Sequence, residues 1–123
     1  MIMATQGRTH KDSFKDALAG LRWTITTQPN FRIHCILSVL ALALGFFLQI
    51  TFVEMAIIVF TIILGLTAEM INTSIEAMTD LITKEYREDA KIAKDVAAGM
   101  MLLTALGAVL VAVCIFVPYF FSI

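Results

Sequence analysis

The chain has 123 residues, of which 59% are hydrophobic and only 15% charged, with a formal net charge of -1. That is the length of one domain, and it is far too apolar for an ordinary soluble one, where about a quarter of residues are charged. The near-neutral balance argues against a nucleic-acid partner, and the composition points to the bilayer.

An amphipathic helix is predicted over residues 10–28. Phe14, Leu18, Leu21 and Ile25 recur at steps of four, three and four, which is one helical face, while Lys11, Asp12, Lys15, Asp16 and Arg22 lie mostly off it. Pro29 ends or kinks this helix. A soluble cap helix carries such a stripe, and so does a helix lying in the membrane interface. The interfacial reading is preferred because the next segment enters the membrane almost at once. The stretch before the helix is polar and lacks an apolar signal core, so no cleaved signal peptide is expected.

Three transmembrane helices are predicted, over residues 33–52, 53–81 and 96–121. Each is long enough to cross a hydrocarbon core of about 30 Å. All nine Lys and Arg residues lie on the N-terminal arm, up to Arg32, or between Lys84 and Lys94. By the positive-inside rule both regions face the cytoplasm. Cys35 and Cys114 fall inside apolar segments and have neither the partners nor the spacing of a metal site or a disulfide framework. The fold class is therefore an all-α membrane protein in one domain.

The second span changes chemistry without a break. At about 100° per residue, Glu69, Asn72, Thr73, Glu76 and Asp80 share one stripe, while Met70, Ile71, Ile75, Met78 and Leu81 take the other side. From Met55 to Glu69 the rise is about 21 Å, which leaves Glu69 at hydrocarbon level near the cytoplasmic side. Glu76 falls near the interface and Asp80 at or beyond it. Ionisable groups at such depth are costly, face protein and ordinarily carry function. One reading is a structural polar network between packed helices. The other is a catalytic site, with Glu69 as a general base. Three carboxylates on one stripe repel unless something positive sits among them, and Mg²⁺ suits carboxylate oxygens together with substrate phosphates. Lys94, near the start of the third span, is placed to reach a phosphate at the surface. Lys84 and Lys91 read as ordinary positive-inside anchors. There is no phosphate loop, no dinucleotide-binding glycine turn and no H-E-x-x-H pattern, and His10 and His34 have no evident partners. Three spans are too few to surround a substrate, and small residues such as Ala105, Ala108 and Ala112 allow close helix approach, so a homo-oligomer is expected.

Five motifs together carry a family resemblance: GLR at Gly20 to Arg22, NFRIH at Asn30 to His34, E-x-x-N-x-x-x-E-x-x-x-D from Glu69 to Asp80, EY at Glu85 and Tyr86, and AKD at Ala93 to Asp95. The chain resembles the small prokaryotic integral-membrane lipid kinases, the diacylglycerol kinases and their undecaprenol kinase relatives. The resemblance implies a homotrimeric helical bundle in the prokaryotic inner membrane, with an interfacial helix and cytoplasmic-side active sites between subunits. It implies transfer of the γ-phosphate of Mg-ATP to a lipid hydroxyl. Glu69 would be the general base, and Asn72, Arg22 and Arg32 would serve the lipid site. Gln28, Glu76, Glu85, Tyr86, Arg87, Lys94 and Asp95 would serve the nucleotide, with Glu76 and position 28 on the metal. The family usually has a glutamate at position 28, so Gln28 implies weaker metal binding. NFRIH is more similar to the undecaprenol branch, which makes undecaprenol the expected acceptor and diacylglycerol the alternative. A small transporter or an inactive membrane protein would be a different class, but the polar face occupies only one end of one span.

Overall fold

The computed structural model describes residues 7–122, which form four helices: α1 (His10–Thr27), α2 (Pro29–Leu48), α3 (Phe52–Ile82) and α4 (Glu88–Phe121). The opening residues, 1–6, where no signal core is expected, lie outside the described range. No strand occurs among the described residues.

Local chemistry sets the boundaries. Thr9 and Asp12 form a reciprocal capping box that opens α1, satisfying N–H groups that the first turn leaves free. Gln28 is extended (φ -105°, ψ 104°); it closes α1 and precedes α2. Pro29 then stands at the start of α2, where its missing N–H would have had no partner. The break therefore falls at Gln28, and α2 starts four residues before the predicted span, because hydropathy marks depth in the membrane and not the start of a helix. At the other end, Gln49 adopts a left-handed conformation (φ 53°, ψ 49°), and its N–H reaches the Gly45 and Phe46 carbonyls. A second capping box, Thr51 with Glu54, opens α3 at Phe52. The turn between α2 and α3 is thus only Gln49 to Thr51.

Both remaining helices exceed the predicted apolar segments. α3 has 31 residues and α4 has 34, or roughly 46 and 51 Å at 1.5 Å per residue. A core of about 30 Å cannot contain either. α4 begins at Glu88, eight residues before its apolar run, with Glu88 and Asp89 in its first turn. Negative charge is favourable there because it faces the positive end of the helix dipole. Of the charged stretch from Thr83 to Lys94, only Thr83 to Arg87 is non-helical.

The packing is antiparallel. α3 lies mainly against α4 and then α2, and α1 touches α2. The Lys94–Asp80 pair at one end and the Tyr119–Glu54 hydrogen bond at the other fix the direction of α4 on α3. As a result the α1–α2 junction and the α3–α4 link share one end, which carries Arg32, Lys84, Arg87, Lys91 and Lys94. The buried core is thin: Ile58, Ile115 and Phe116, with Leu44, Ile62 and Ala112 packed around them. Large apolar side chains such as Phe47 (82% exposed) and Leu103 (73%) point outward, as a bilayer requires. α2, α3 and α4 are each long and apolar enough to span. Phe14, Leu18, Leu21 and Ile25 of α1 are all exposed.

Tyr119 donates its hydroxyl hydrogen to Glu54, whose carboxylate also caps α3. This ties the far ends of α3 and α4 together, away from the polar stripe. Tyr119→Phe should therefore lower the thermal midpoint in detergent by a few degrees, followed by circular dichroism, while leaving any enzymatic rate unchanged. An unchanged midpoint would show that the tie contributes nothing.

Candidate active site

Glu69 is 5% exposed and lies on α3 between α2 and α4. It is one of the few buried polar residues, and among the described residues it is the only buried carboxylate. Its nearest cationic candidate is His34 on α2, with Nε2 at 3.9 Å from Glu69 Oε2. That is beyond ordinary hydrogen-bond reach, so Glu69 is buried without a close partner. Burial of this kind is costly and calls for a reason other than stability.

A cleft of about 370 Å³ opens at this point, lined by Asn30, His34, Glu69, Asn72, Glu76 and residues of α4 from Ala98 to Ala105. Asn72 donates from Nδ2 to Glu76 Oε1 at 3.4 Å. Its carbonyl oxygen, Oδ1, is buried with no hydrogen-bond partner. Buried polar atoms are nearly always paired, so this oxygen is suited to a donor or a cation brought by a ligand. The stripe from Glu69 to Glu76 therefore lines one cleft with oxygen atoms of several kinds.

An apolar cleft of about 400 Å³ continues towards the other end of the bundle, sharing His34 and Ala105 with the first. Ala105, Ala108 and Ala112 line it beside Ile58, Ile62 and Gly65. The small residues of α4 thus face α2 and α3 of the same chain.

A third cleft, of about 470 Å³, lies at the α3–α4 link. It gathers Asp80, Lys84, Glu85, Tyr86, Arg87, Lys94 and Asp95, with Lys91 beside them. Lys94 Nζ donates to Asp80 Oδ1 at 2.8 Å. Lys91 pairs with Asp95 one turn away on α4, and Arg87 Nη2 stands 3.5 Å from Glu85 Oε2. All these charges are at least two-fifths exposed, so their pairing is weak and can be exchanged for another anion. Glu76 and Asp80 are one turn apart, about 6 Å along the axis. The deep cleft and the cationic one are therefore neighbours on the same helix.

The structure brings Glu69, Asn72 and Glu76 together, and separately Glu85, Tyr86, Arg87, Lys94 and Asp95. Gln28 lies at the α1–α2 junction, its amide donating to Thr27 Oγ1, and lines neither of these clefts. Arg22 and Arg32 are exposed and line neither as well. Sequence reasoning passed over two partners. From the sequence His34 had no evident partner, and Asp80 stood on the stripe without a role. Both meet their partners across helices, and no local spacing carries that information.

No group of three or more His, Cys, Asp or Glu side chains close enough for a metal occurs among the described residues. The donors that are present, the Glu76 carboxylate and the orphaned Asn72 oxygen, are hard oxygen ligands of the type Mg²⁺ takes, and Mg²⁺ commonly completes its shell with water and substrate phosphates. The residues therefore fit an ion held jointly with a nucleotide, and do not fit an all-protein metal cage.

A profile of the family described as prokaryotic diacylglycerol kinase matches residues 15–116. The chain belongs to this family of prokaryotic lipid kinases. Among its relatives, a protein named diacylglycerol kinase from Synechocystis is 38% identical over 112 residues, covering 90% of this chain and 64% of that protein. The chain thus spans a little under two thirds of that relative's length. A protein named undecaprenol kinase from Bacillus subtilis is 36% identical over 107 residues, covering 86% of each. A diacylglycerol kinase from Escherichia coli is 28% identical over 91 residues, covering 74% of this chain and 75% of that protein.

The burial of Glu69 separates a structural role from a functional one. Glu69→Leu replaces an unpaired buried carboxyl with an apolar group, a change that is often neutral or stabilising. The thermal midpoint in detergent is expected to hold or rise. A clear fall would mean that Glu69 ties the helices together.

Proposed function

We propose that the protein is a lipid kinase that moves the γ-phosphate of Mg-ATP to the hydroxyl of a membrane lipid. The observation that carries this reading is Glu69: a buried carboxylate without a close partner, facing a cleft one helical stretch below a cluster of exposed, exchangeable cations. A lipid hydroxyl can wait at the depth of Glu69 while the nucleotide stays in water.

The steps follow from that layering. Lys94, with the Glu85 to Arg87 segment and Asp95, holds the nucleotide at the surface; Lys94 exchanges Asp80 for phosphate. Glu69 accepts the proton of the lipid hydroxyl. The lipid oxygen bonds to the γ-phosphorus, the bond from that phosphorus to the bridging oxygen breaks, and ADP leaves. Mg²⁺, held by Glu76 with the amide oxygens of Asn72 and Gln28, would neutralise charge on the phosphates. Phosphoryl transfer needs mainly positioning and such neutralisation, so a bundle without a phosphate loop suffices.

Undecaprenol is the acceptor we favour, on the NFRIH stretch and on the even coverage of the undecaprenol kinase relative. Diacylglycerol is the second reading, supported by the name of the Synechocystis relative. The proposed assembly is a homotrimer, with α1 in the membrane interface and the site on the cytoplasmic side of the inner membrane. A trimer would bring Gln28, Arg22 or Arg32 of one subunit to the clefts of another, which the single chain leaves them away from. The exposed stripe of α1 supports the interfacial position, and the one-ended distribution of Lys and Arg supports the orientation.

Two outcomes test the reading. Glu69→Gln, assayed with saturating Mg-ATP and lipid, should lower kcat by about 10²–10⁴-fold, the range that a general base contributes; a rate within a few-fold of the parent removes Glu69 from the chemistry. Gln28→Glu should lower the Mg²⁺ concentration needed for half-maximal rate, since a carboxylate holds the ion more tightly than an amide. An unchanged Mg²⁺ titration would place residue 28 off the metal.

A further inference from the structure

We propose that His34 is the residue that positions the lipid acceptor, gripping its hydroxyl oxygen together with Glu69. This rests on the lipid-kinase reading above and assigns a role to a residue outside the motif on α3.

The geometry is specific. His34 Nε2 and Glu69 Oε2 are 3.9 Å apart, too far for a direct hydrogen bond. A single oxygen atom fits between them at about 2.8 Å from each, an ordinary hydrogen-bond length. An alcohol is the group that uses both sides: its O–H donates to the Glu69 carboxylate and its oxygen accepts from Nε2–H of His34. A ketone or an ether lacks the hydrogen for Glu69.

Placement supports the same ligand class. His34 lines both the polar cleft of Glu69 and the apolar cleft that continues along α2, α3 and α4. It therefore stands where a polar head joins an apolar chain. An alcohol at the end of one long chain matches that junction: the chain would follow the apolar cleft and the hydroxyl would stop at His34. His34 is itself half-buried, and its backbone carbonyl accepts a hydrogen bond from Ser38 Oγ at 2.6 Å, within regular α2. The imidazole is thus carried on a rigid element, as a positioning group should be.

During transfer His34 keeps its proton. The hydroxyl proton goes to Glu69, the lipid oxygen bonds to phosphorus, and Nε2–H holds that oxygen on its line of approach. The histidine affects where the acceptor sits, and it is not among the residues that line the nucleotide cleft, which run from Thr79 to Asp95. The lipid and nucleotide parameters should therefore separate.

The test is steady-state phosphate transfer from Mg-ATP to undecaprenol and to diacylglycerol in mixed micelles, for the parent protein, His34→Leu, His34→Gln and Glu69→Gln. Gln can return an N–H donor near the place of Nε2, and Leu cannot. His34→Leu is expected to lower kcat/KM for the lipid by about tenfold or more, the scale of one lost hydrogen bond to the substrate, with KM for Mg-ATP unchanged. His34→Gln is expected to recover most of that loss. If His34→Leu matches the parent, the positioning role is wrong while an active parent and an inactive Glu69→Gln keep the kinase reading. If both His34 variants fall equally in the lipid and Mg-ATP parameters, His34 is structural and the proposal is overturned. A parent protein that phosphorylates neither lipid overturns the kinase reading and this inference with it.

Discussion

The site is organised around one buried carboxylate. Glu69 is 5% exposed on a helix long and apolar enough to cross a membrane, and an ionisable group within such a span is tolerated only when protein surrounds it. α3 alone cannot supply that cover, so α2 and α4 must both lie against its polar side. α4 does so with Ala98, Met101, Leu102 and Ala105, which line the Glu69 cleft. α2 does so with His34. The antiparallel order of the three long helices, the short Gln49 to Thr51 turn and the tie from Tyr119 to Glu54 at the far end all serve to hold these faces on α3.

The same helix then solves a problem of phase. A lipid hydroxyl and a nucleotide prefer different solvents, and a reaction between them needs both at one boundary. α3 is longer than an apolar layer needs, and its stripe runs from the buried Glu69 to the exposed side chain of Asp80. The cations arrive from the link and the first turns of α4, where Lys94 and Arg87 remain exposed. Their pairs with Asp80 and Glu85 cost little to break. Polar groups deep in the bundle are scarce and fixed, while those at the surface are plentiful and exchangeable. Membership of the prokaryotic diacylglycerol kinase family fits this division of labour.

Much of the fold was legible because the bilayer imposes length and periodicity. The three spans follow from apolar runs, and the one-sided stripe follows from the 100° step between Glu69, Asn72, Glu76 and Asp80. Helix ends were harder to read. Hydropathy marks the apolar layer, so it missed that α2 starts at Pro29, where Gln28 frees the first turn, and that α4 starts at Glu88, where acidic residues suit the helix N-terminus. Contacts between helices were not legible at all. His34 to Glu69 spans two helices and Lys94 to Asp80 spans a turn, and each depends on rotation and register that no local pattern encodes. Gln28, Arg22 and Arg32 show the converse: motif resemblance grouped them with the site, while the single chain keeps them off its clefts.

The most direct test of the central claim is the identity of the product. Purified protein in mixed micelles would be given Mg-ATP labelled in the γ-phosphate, with undecaprenol or diacylglycerol as the sole acceptor, and the extracted lipid analysed by mass spectrometry. The account predicts a labelled phosphate monoester on the lipid hydroxyl, formed together with an equal amount of ADP. ADP released as inorganic phosphate appears, or no turnover with either lipid while the helices remain folded, would contradict it.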